Sequence, residues 1–314
     1  MKTIYYPDTT CCDGTYAATI GVFDGVHLGH RHLLERLKRE AEQEGMRPMV
    51  ITFECPPRQV VQPEWRPALI TTLDEKIRLM DQTGIDTLVV LRFDRQMAAL
   101  SARDFMDTIL YKQLGVRLLL TGYDNRFGHD RTEGFEDYQC YGMEIGLRVI
   151  CGDPLAVEGS NASSSRIRHL LKEGCVEEAR RCLGRPYTLD GQVVHGQQIG
   201  RRIGFPTANM EPDEPYKVIP KDGVYAVTAQ VGDLPLMRGI MNIGTRPTFH
   251  GEKRTLETNI FDELGDFYGN HMRVQFIAHL RDEQQFSSGE ALAEQIKRDK
   301  EEAEKRLIAY EQET

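Results

Sequence analysis

Two histidines, His27 and His30, stand three residues apart in the run Gly21-Val22-Phe23-Asp24-Gly25-Val26-His27-Leu28-Gly29-His30. An apolar, β-prone stretch from Ala17 to Val22 leads into it, and an amphipathic pattern (Leu33, Leu34, Leu37) leads out. The pair therefore falls where a strand hands over to a helix. Helix N-termini present free N–H groups and the positive end of a dipole, and so collect phosphates. Residues three apart share a helical face, so both imidazoles can address one anion. Gly21, Gly25 and Gly29 remove side chains where backbone must approach a ligand. A histidine near a turn is ordinarily a surface residue, but two at this spacing among three glycines read as a nucleoside triphosphate site built without a P-loop, with Phe23 and Asp24 in the same loop.

Two further clusters carry chemistry. In Gly200-Arg201-Arg202-Ile203-Gly204-Phe205-Pro206-Thr207-Ala208-Asn209, Thr207 and Asn209 offer neutral, hard oxygen ligands of the kind Mg²⁺ accepts beside water and phosphate. On a strand the two would share a face. A Gly/Pro turn with polar tips fits the same composition equally well. In Asn161-Ala162-Ser163-Ser164-Ser165-Arg166-Ile167-Arg168, three hydroxyls sit at a helix start, where capping alone explains serine. The arginines that follow supply forked donors for phosphate oxygens, which capping does not need.

The elements that must position these residues fall into two kinds. Strand-like runs at 16–22, 48–53, 87–93, 117–121 and 147–151 alternate with helical patterns at 30–44, 73–83 and 102–114. Such alternation implies a parallel sheet covered on both faces, with ligands bound beyond the strands' carboxyl ends. The runs Gly21–His30, Thr52–Pro57 and Gly122–Gly128 all follow strands and would meet at that edge. Beyond Gly184 the pattern changes to short β-rich runs at 187–194, 223–231, 236–243, 255–261 and 272–280, which predict an antiparallel barrel or sandwich. A charged amphipathic helix over 288–310 (Leu292, Ile296, Leu307) closes the chain as a packing element. The expected domains are residues 1–183 and 184–314.

A chain of 314 residues has room for two such cores. Its net charge of −9 argues against broad nucleic-acid binding. The 7 cysteines contain no Cys-x-x-Cys, so neither a disulfide framework nor a zinc site is indicated, and a reduced, cytoplasmic setting is expected. No signal-peptide-like start and no apolar run of membrane-spanning length is seen, so no membrane partner is expected. Protein partners are left open.

Gly21–His30 resembles the Gly-x-Phe-Asp-Gly-x-His-x-Gly-His signature of the bifunctional riboflavin kinase/FAD synthetase family. Asn161–Arg168 resembles that family's Ile-Ser-Ser-Thr-x-x-Arg box, with Ala162 and Ser165 as replacements and Arg168 on the motif arginine. Gly122–Gly128 resembles Gly-x-(Asp/Asn)-Phe-x-Phe-Gly, with Asn125 in place of Phe. Thr52–Pro57 resembles Thr-Phe-x-Pro-His-Pro, with Pro56 where histidine is usual. In the second half, Gly204–Asn209 matches Gly-Phe-Pro-Thr-Ala-Asn without change, and Asn242–Phe249 matches Asn-x-Gly-x-Arg-Pro-Thr-Phe. Leu256–Asp262 resembles Leu-Glu-x-His-Ile-Phe-Asp with Asn259 for His, and Leu280–Glu283 followed by Phe286 resembles a region near the flavin.

The resemblance implies a Rossmann-like α/β nucleotidyltransferase domain followed by an antiparallel β-barrel riboflavin kinase domain with a C-terminal helix. It implies conversion of riboflavin and ATP to FMN, and of FMN and ATP to FAD and pyrophosphate, with Mg²⁺ as cofactor. The first ATP site would take Gly21, Phe23, Asp24, Gly25, His27, Gly29, His30, Ser164, Ser165 and Arg168; the second would take Gly204, Pro206, Thr207 and Asn209, with Thr207 and Asn209 on the metal and Glu257 as base. Asp124, Asn125, Arg246, Arg281 and Phe286 would meet the flavin. The substitutions at 56 and 125 leave open a riboflavin kinase whose first domain has lost turnover, and a non-catalytic flavin- or nucleotide-binding protein is the second alternative.

Overall fold

The computed structural model describes residues 1–8, 14–123, 125–129, 132–157, 159–196, 204–248, 251–261, 265 and 267–313, with backbone alone for 246–248 and 251–253. Two compact units follow one another, Met1–Ser164 and Ser165–Thr314.

The first unit is a six-stranded parallel sheet made of β1 (Lys2–Tyr6), β2 (Tyr16–Ile20), β3 (Arg47–Phe53), β4 (Thr87–Leu91), β5 (Val116–Thr121) and β6 (Arg148–Cys151), in the order β1-β4-β3-β2-β5-β6. Every residue of β2 and β4 is buried, as a sheet covered on both faces demands. On one face, Leu34, Leu37 and Ala41 of helix α1 (Leu28–Gln43) pack on Val50, Leu88, Val90 and Leu118. Ala18, Ile20, Met49, Ile51 and Val89 meet Phe105, Met106, Ile109 and Leu110 on the other. Helix α2 (Leu73–Asp81) opens with a reciprocal capping box between Thr72 and Glu75.

Three features depart from the sequence pattern. Phe105–Gln113 forms a π-helix rather than the expected α-helix; the Leu114 amide donates to the Ile109 carbonyl at 2.9 Å. Its wider turn keeps Phe105, Ile109, Leu110 and Leu114 together against the sheet. Edge strand β1 and helix α3 (Phe135–Ile145) were not expected. Inside α3, Tyr138 and Gly142 are buried, and Phe135, Tyr141 and Ile145 pack half-buried on the same core, a mostly aromatic stripe rather than an aliphatic one. Gly142 is required there, because a Cβ would lie 2.2 Å from the Leu147 carbonyl oxygen.

From β2 the chain moves through β3 and β4 to one side, then returns to place β5 and β6 on the other. The strand order thus reverses between β2 and β5, and open α/β sheets bind ligands at the carboxyl-end crevice of such a reversal. A short hairpin, β7 (Ala156–Val157) and β8 (Ser160–Asn161), precedes helix α4 (Ser164–Lys172).

In the second unit, helices α4 and α5 (Val176–Leu183) lead into a closed antiparallel barrel of β9 (Tyr187–Val194), β10 (Ala208–Pro212), β11 (Gly223–Val231), β12 (Met237–Thr248), β13 (Gly251–Ile260) and β14 (His271–Arg281), ordered β10-β13-β12-β11-β14-β9. Helix α5 ends on Gly184 in the left-handed region, φ 72°. Tyr187, Leu189, Tyr225, Met241, Ile243, Leu256 and Phe276 are buried. The alternate residues Val224, Ala226, Ile240 and Ala278 lie under Ala303 and Leu307 of helix α6 (Gly289–Glu313). Ile296 joins this cluster, while Leu292 is half-buried.

A buried ion pair fixes α6 to β14. The Arg281 guanidinium donates to both Asp299 oxygens, Nη2 at 2.8 Å and Nε at 3.0 and 3.1 Å, and Gln295 Nε2 donates to Asp299 at 2.8 Å. Asp299 is 4% exposed. Asp299→Ala strands a desolvated guanidinium, and is expected to lower stability by about 3 kcal/mol, read from urea unfolding of the second unit.

Candidate functional sites

The Gly21–His30 loop leaves the carboxyl end of β2, and His27 caps α1: its Nδ1 accepts from the His30 amide at 3.3 Å. That acceptor role leaves Nε2 as the protonated nitrogen of a neutral ring. The two imidazoles stack with centroids 3.6 Å apart at 20°, and Phe23 packs edge-on to His30 at 5.1 Å. His30 Nδ1 is buried and has no hydrogen-bond partner among the described residues. Burial foremost, then the neighbouring His27 and the Lys76 ammonium, hold the His30 imidazole well below its usual pKa. His30 thus faces the helix end as an uncharged ring suited to hydrogen bonding. Gly29 is needed here, since a Cβ would lie 2.8 Å from the Ala162 carbonyl oxygen and 3.2 Å from the His27 ring.

The loop is held under strain. Phe23 and the β-branched Val26 adopt positive φ, 51° and 39°. Asp24 is buried, and its carboxylate accepts from the Ile70 and Thr71 amides and from the Thr71 hydroxyl at 2.9–3.1 Å. The Thr71 hydroxyl in turn accepts from the Gly25 amide at 2.9 Å. Asp24 therefore ties the loop to the segment before α2. Ser164 Oγ donates to the Asp24 carbonyl at 2.8 Å. Ser165 and Arg168 follow on α4, in the second unit.

One residue of this region was not singled out from the sequence. Lys76 of α2 is 6% exposed, and its Nζ lies 3.1 Å from each of three acceptors: the Val22 carbonyl, the Thr52 hydroxyl and the Phe53 carbonyl. Burial, partly offset by Asp24 and Cys55, brings its pKa down to about 8. Asn125 spans the strand reversal, its Nδ2 donating to the Ile20 carbonyl of β2 at 2.6 Å. Pro56 precedes the short helix Pro57–Val61. Asp124 lies outside the described residues.

In the barrel, strand register does the positioning. Asn209 of β10 stands directly opposite Glu257 of β13, and on the other side Glu257 stands opposite Asn242 of β12. Facing residues on neighbouring strands hold their Cβ atoms roughly 5 Å apart. A carboxylate is thus flanked by two carboxamides on the barrel's outer surface, the same face that carries Ile240 beneath α6. β10 begins at Ala208, so Thr207 sits just ahead of it, half-buried. Asn259 Nδ2 donates to the Pro206 carbonyl at 2.7 Å and so anchors the loop that delivers Thr207. Gly204 adopts φ +87°, which favours glycine. Arg281 is engaged by Asp299 and lies 5.6 Å from the Phe286 ring centroid. Arg246 is a β12 residue opposite Lys253, described by its backbone.

Residues 10–166 match the family model for FAD synthetase, and residues 183–307 match the model for riboflavin kinase. The bifunctional riboflavin kinase/FMN adenylyltransferase of Escherichia coli K12 is 41% identical over 282 residues, covering 90% of this chain and 89% of the relative. The chain belongs to the bifunctional riboflavin kinase/FMN adenylyltransferase family. The enzymes of that name from Pseudomonas fluorescens and Bacillus subtilis are 38% and 36% identical, each covering 90% of both chains. A solved structure from Streptococcus pneumoniae, described as a macrolide-efflux protein, superposes with a TM-score of 0.87 at 32% identity, over 96% of this chain and 98% of that one.

As a riboflavin kinase/FMN adenylyltransferase, the chain carries out both reactions, with riboflavin, FMN and ATP as substrates and FAD as end product. Strands β2 to β6 of the parallel sheet and the histidine pair fall within the FAD synthetase match, and the barrel with Asn209 and Glu257 within the riboflavin kinase match. The kinase half allows a direct steric test. A Cβ on Gly196 would lie 2.1 Å from Asn209 Nδ2. Gly196→Ala therefore pushes the carboxamide aside; if Asn209 lies at the reacting centre, as the family resemblance implies, a displacement of about 1 Å there costs ~10²-fold. FMN formation is expected to fall by that order while conversion of supplied FMN to FAD stays constant in a coupled pyrophosphate assay.

Proposed function

We propose that the two reactions use separate ATP sites. Adenylylation is assigned to the Gly21–His30 loop with Ser164, Ser165 and Arg168, and phosphorylation to Gly204–Asn209 with Glu257; residues 1–183 and 184–314 form the two functional modules. The observation that carries this reading is the cross-strand placement of Asn209 beside Glu257 in a barrel distinct from the unit that holds His27 and His30.

A primary alcohol must lose its proton as it attacks, and Glu257 is the acceptor for the riboflavin 5′-hydroxyl proton. The hydroxyl oxygen bonds to the γ-phosphorus, and the bond to the β,γ-bridging oxygen breaks, releasing ADP. Thr207 and Asn209 provide neutral oxygens, which suit Mg²⁺ because that ion keeps waters and phosphate oxygens in its shell. When bound, Mg²⁺ neutralises phosphate charge. The FMN phosphate is already anionic and needs no base. Its oxygen attacks the α-phosphorus and pyrophosphate leaves, while His27, His30 and the amides of the α1 N-terminus hold the phosphate oxygens in place. Asn125, Arg281 and Phe286 are assigned to the flavin, with Asp124 and Arg246 as further contacts; Asp299 holds the Arg281 guanidinium.

We assign the enzyme to the reduced cytoplasm, acting on small molecules rather than nucleic acid. No described helix is long and apolar enough to cross a membrane, and the efflux description of the Streptococcus pneumoniae structure is not carried over. The test is incubation with riboflavin and Mg·ATP, followed by flavin chromatography. FMN and then FAD are expected with pyrophosphate release, and both disappear with EDTA. FMN without FAD removes the first-site assignment.

A further inference from the structure

We propose that Lys76 is a positioning residue for adenylyl transfer, holding the strained Gly21–His30 loop in its reactive shape through the Val22 carbonyl and the end of β3. The inference rests on the assignment of that loop to the adenylylation site.

The argument starts from valence. An ammonium has three N–H donors, and Lys76 Nζ has three oxygen acceptors at 3.1 Å, the carbonyls of Val22 and Phe53 and the hydroxyl of Thr52. A lysine buried to 6% exposure with every donor satisfied is a built feature; an ordinary lysine on α2 would extend into water. Its acceptors come from two places, the loop after β2 and the end of β3. Thr52 Oγ1 also donates to the Val22 carbonyl at 3.1 Å, so hydroxyl and ammonium converge on one oxygen. Val22 immediately precedes Phe23, the first of the two positive-φ residues. Such strain persists where surrounding contacts over-determine it. Asp24 fixes the loop through Ile70 and Thr71, and Lys76 fixes it through the Val22 carbonyl.

The ammonium also adds positive potential beside His30. The groups facing His30 are His27 and Lys76, and those facing Lys76 are Asp24 and Cys55. Removing the charge therefore lets the His30 imidazole protonate at higher pH.

The experiment compares full-length Lys76→Met, Lys76→Arg and His27→Ala/His30→Ala proteins, with riboflavin phosphorylation as the internal control. Lys76→Met is expected to lower kcat for FMN adenylylation ~10- to 100-fold with riboflavin phosphorylation unchanged. The acid-side inflection of its pH profile, and the His30 ring titration by NMR, should move upward. Lys76→Arg, which keeps the charge, should leave both inflections in place and recover part of the rate. Should Lys76→Met also lose phosphorylation, Thr52→Val replaces it, and a drop of several-fold in adenylylation alone is expected. Adenylylation within twofold of the parent in Lys76→Met, or in Thr52→Val where that replaces it, overturns the proposal, as does an unmoved His30 titration in Lys76→Met. If the double histidine variant keeps making FAD, the loop assignment itself fails; if it stops and Lys76→Met does not, the role of Lys76 alone fails.

Discussion

Glu257→Gln is expected to lower riboflavin phosphorylation by about 10²- to 10⁴-fold, the range that general-base catalysis contributes, while FMN supplied directly is still converted to FAD. The isosteric amide retains the shape and the hydrogen-bonding edge beside Asn209 and Asn242, so the barrel register should survive; what disappears is the capacity to take a proton. The effect should therefore appear in kcat more than in the KM for ATP. Product chromatography at fixed Mg·ATP separates the outcomes: FMN absent and FAD formed from added FMN supports the two-site reading, whereas loss of both activities contradicts it. Asn242 gives an internal check. Asn242→Asp would place a second carboxylate opposite Glu257 and raise the pH needed for a charged base, shifting the acid limb of the kinase profile upward.

Glu257 also shows what the sequence does and does not carry. Nothing in its local composition separates it from the other acidic residues; the family resemblance marks it, and the register explains it by flanking it with two asparagines from segments far apart in the chain. The parallel strands were legible because burial on both faces leaves continuous apolar runs, as in Thr87–Leu91. β10 was not, since the alternation of Ala208 and Met210 with Asn209 and Glu211 is confined to five residues that end in Pro212. α3 was hidden because its core-facing side is mostly aromatic, Phe135, Tyr138 and Tyr141 with Ile145 and Gly142, and not a run of aliphatic residues.

Lys76 is a different kind of omission. A lysine between Glu75 and Ile77 reads as a solvated position. Yet Leu73, Lys76, Ile77 and Met80 follow the spacing of an apolar helical face, so the charge occupies an inward position. That was the available signal. Asn125 was noticed for replacing an aromatic residue, but its side-chain hydrogen bond to the Ile20 carbonyl ties the segment after β5 to β2 at the reversal, a relation that depends on sheet order and cannot be read locally.

Removing both imidazoles, as His27→Ala/His30→Ala, should stop FAD synthesis and spare riboflavin phosphorylation. Loss of one preorganised donor at a developing charge costs ~10²–10³-fold, so loss of two is expected to leave FAD below detection in a discontinuous assay. His27 has a second duty, however: its Nδ1 caps α1, and losing a cap costs about 1 kcal/mol. A fall in activity after His27→Ala could then reflect a frayed helix. His27→Asn separates the two, because asparagine is among the best N-caps but lacks the distal ring nitrogen. Its melting temperature should match the parent while adenylylation falls. Stacking adds a further expectation. The rings lie 3.6 Å apart and His30 is largely enclosed, so each excludes water from the other. Single substitutions should therefore be non-additive, with either one removing most of the activity that the double variant removes. Additive losses would mean that the imidazoles contact the phosphates independently, and native-rate FAD synthesis in the double variant would remove the loop from the adenylylation site.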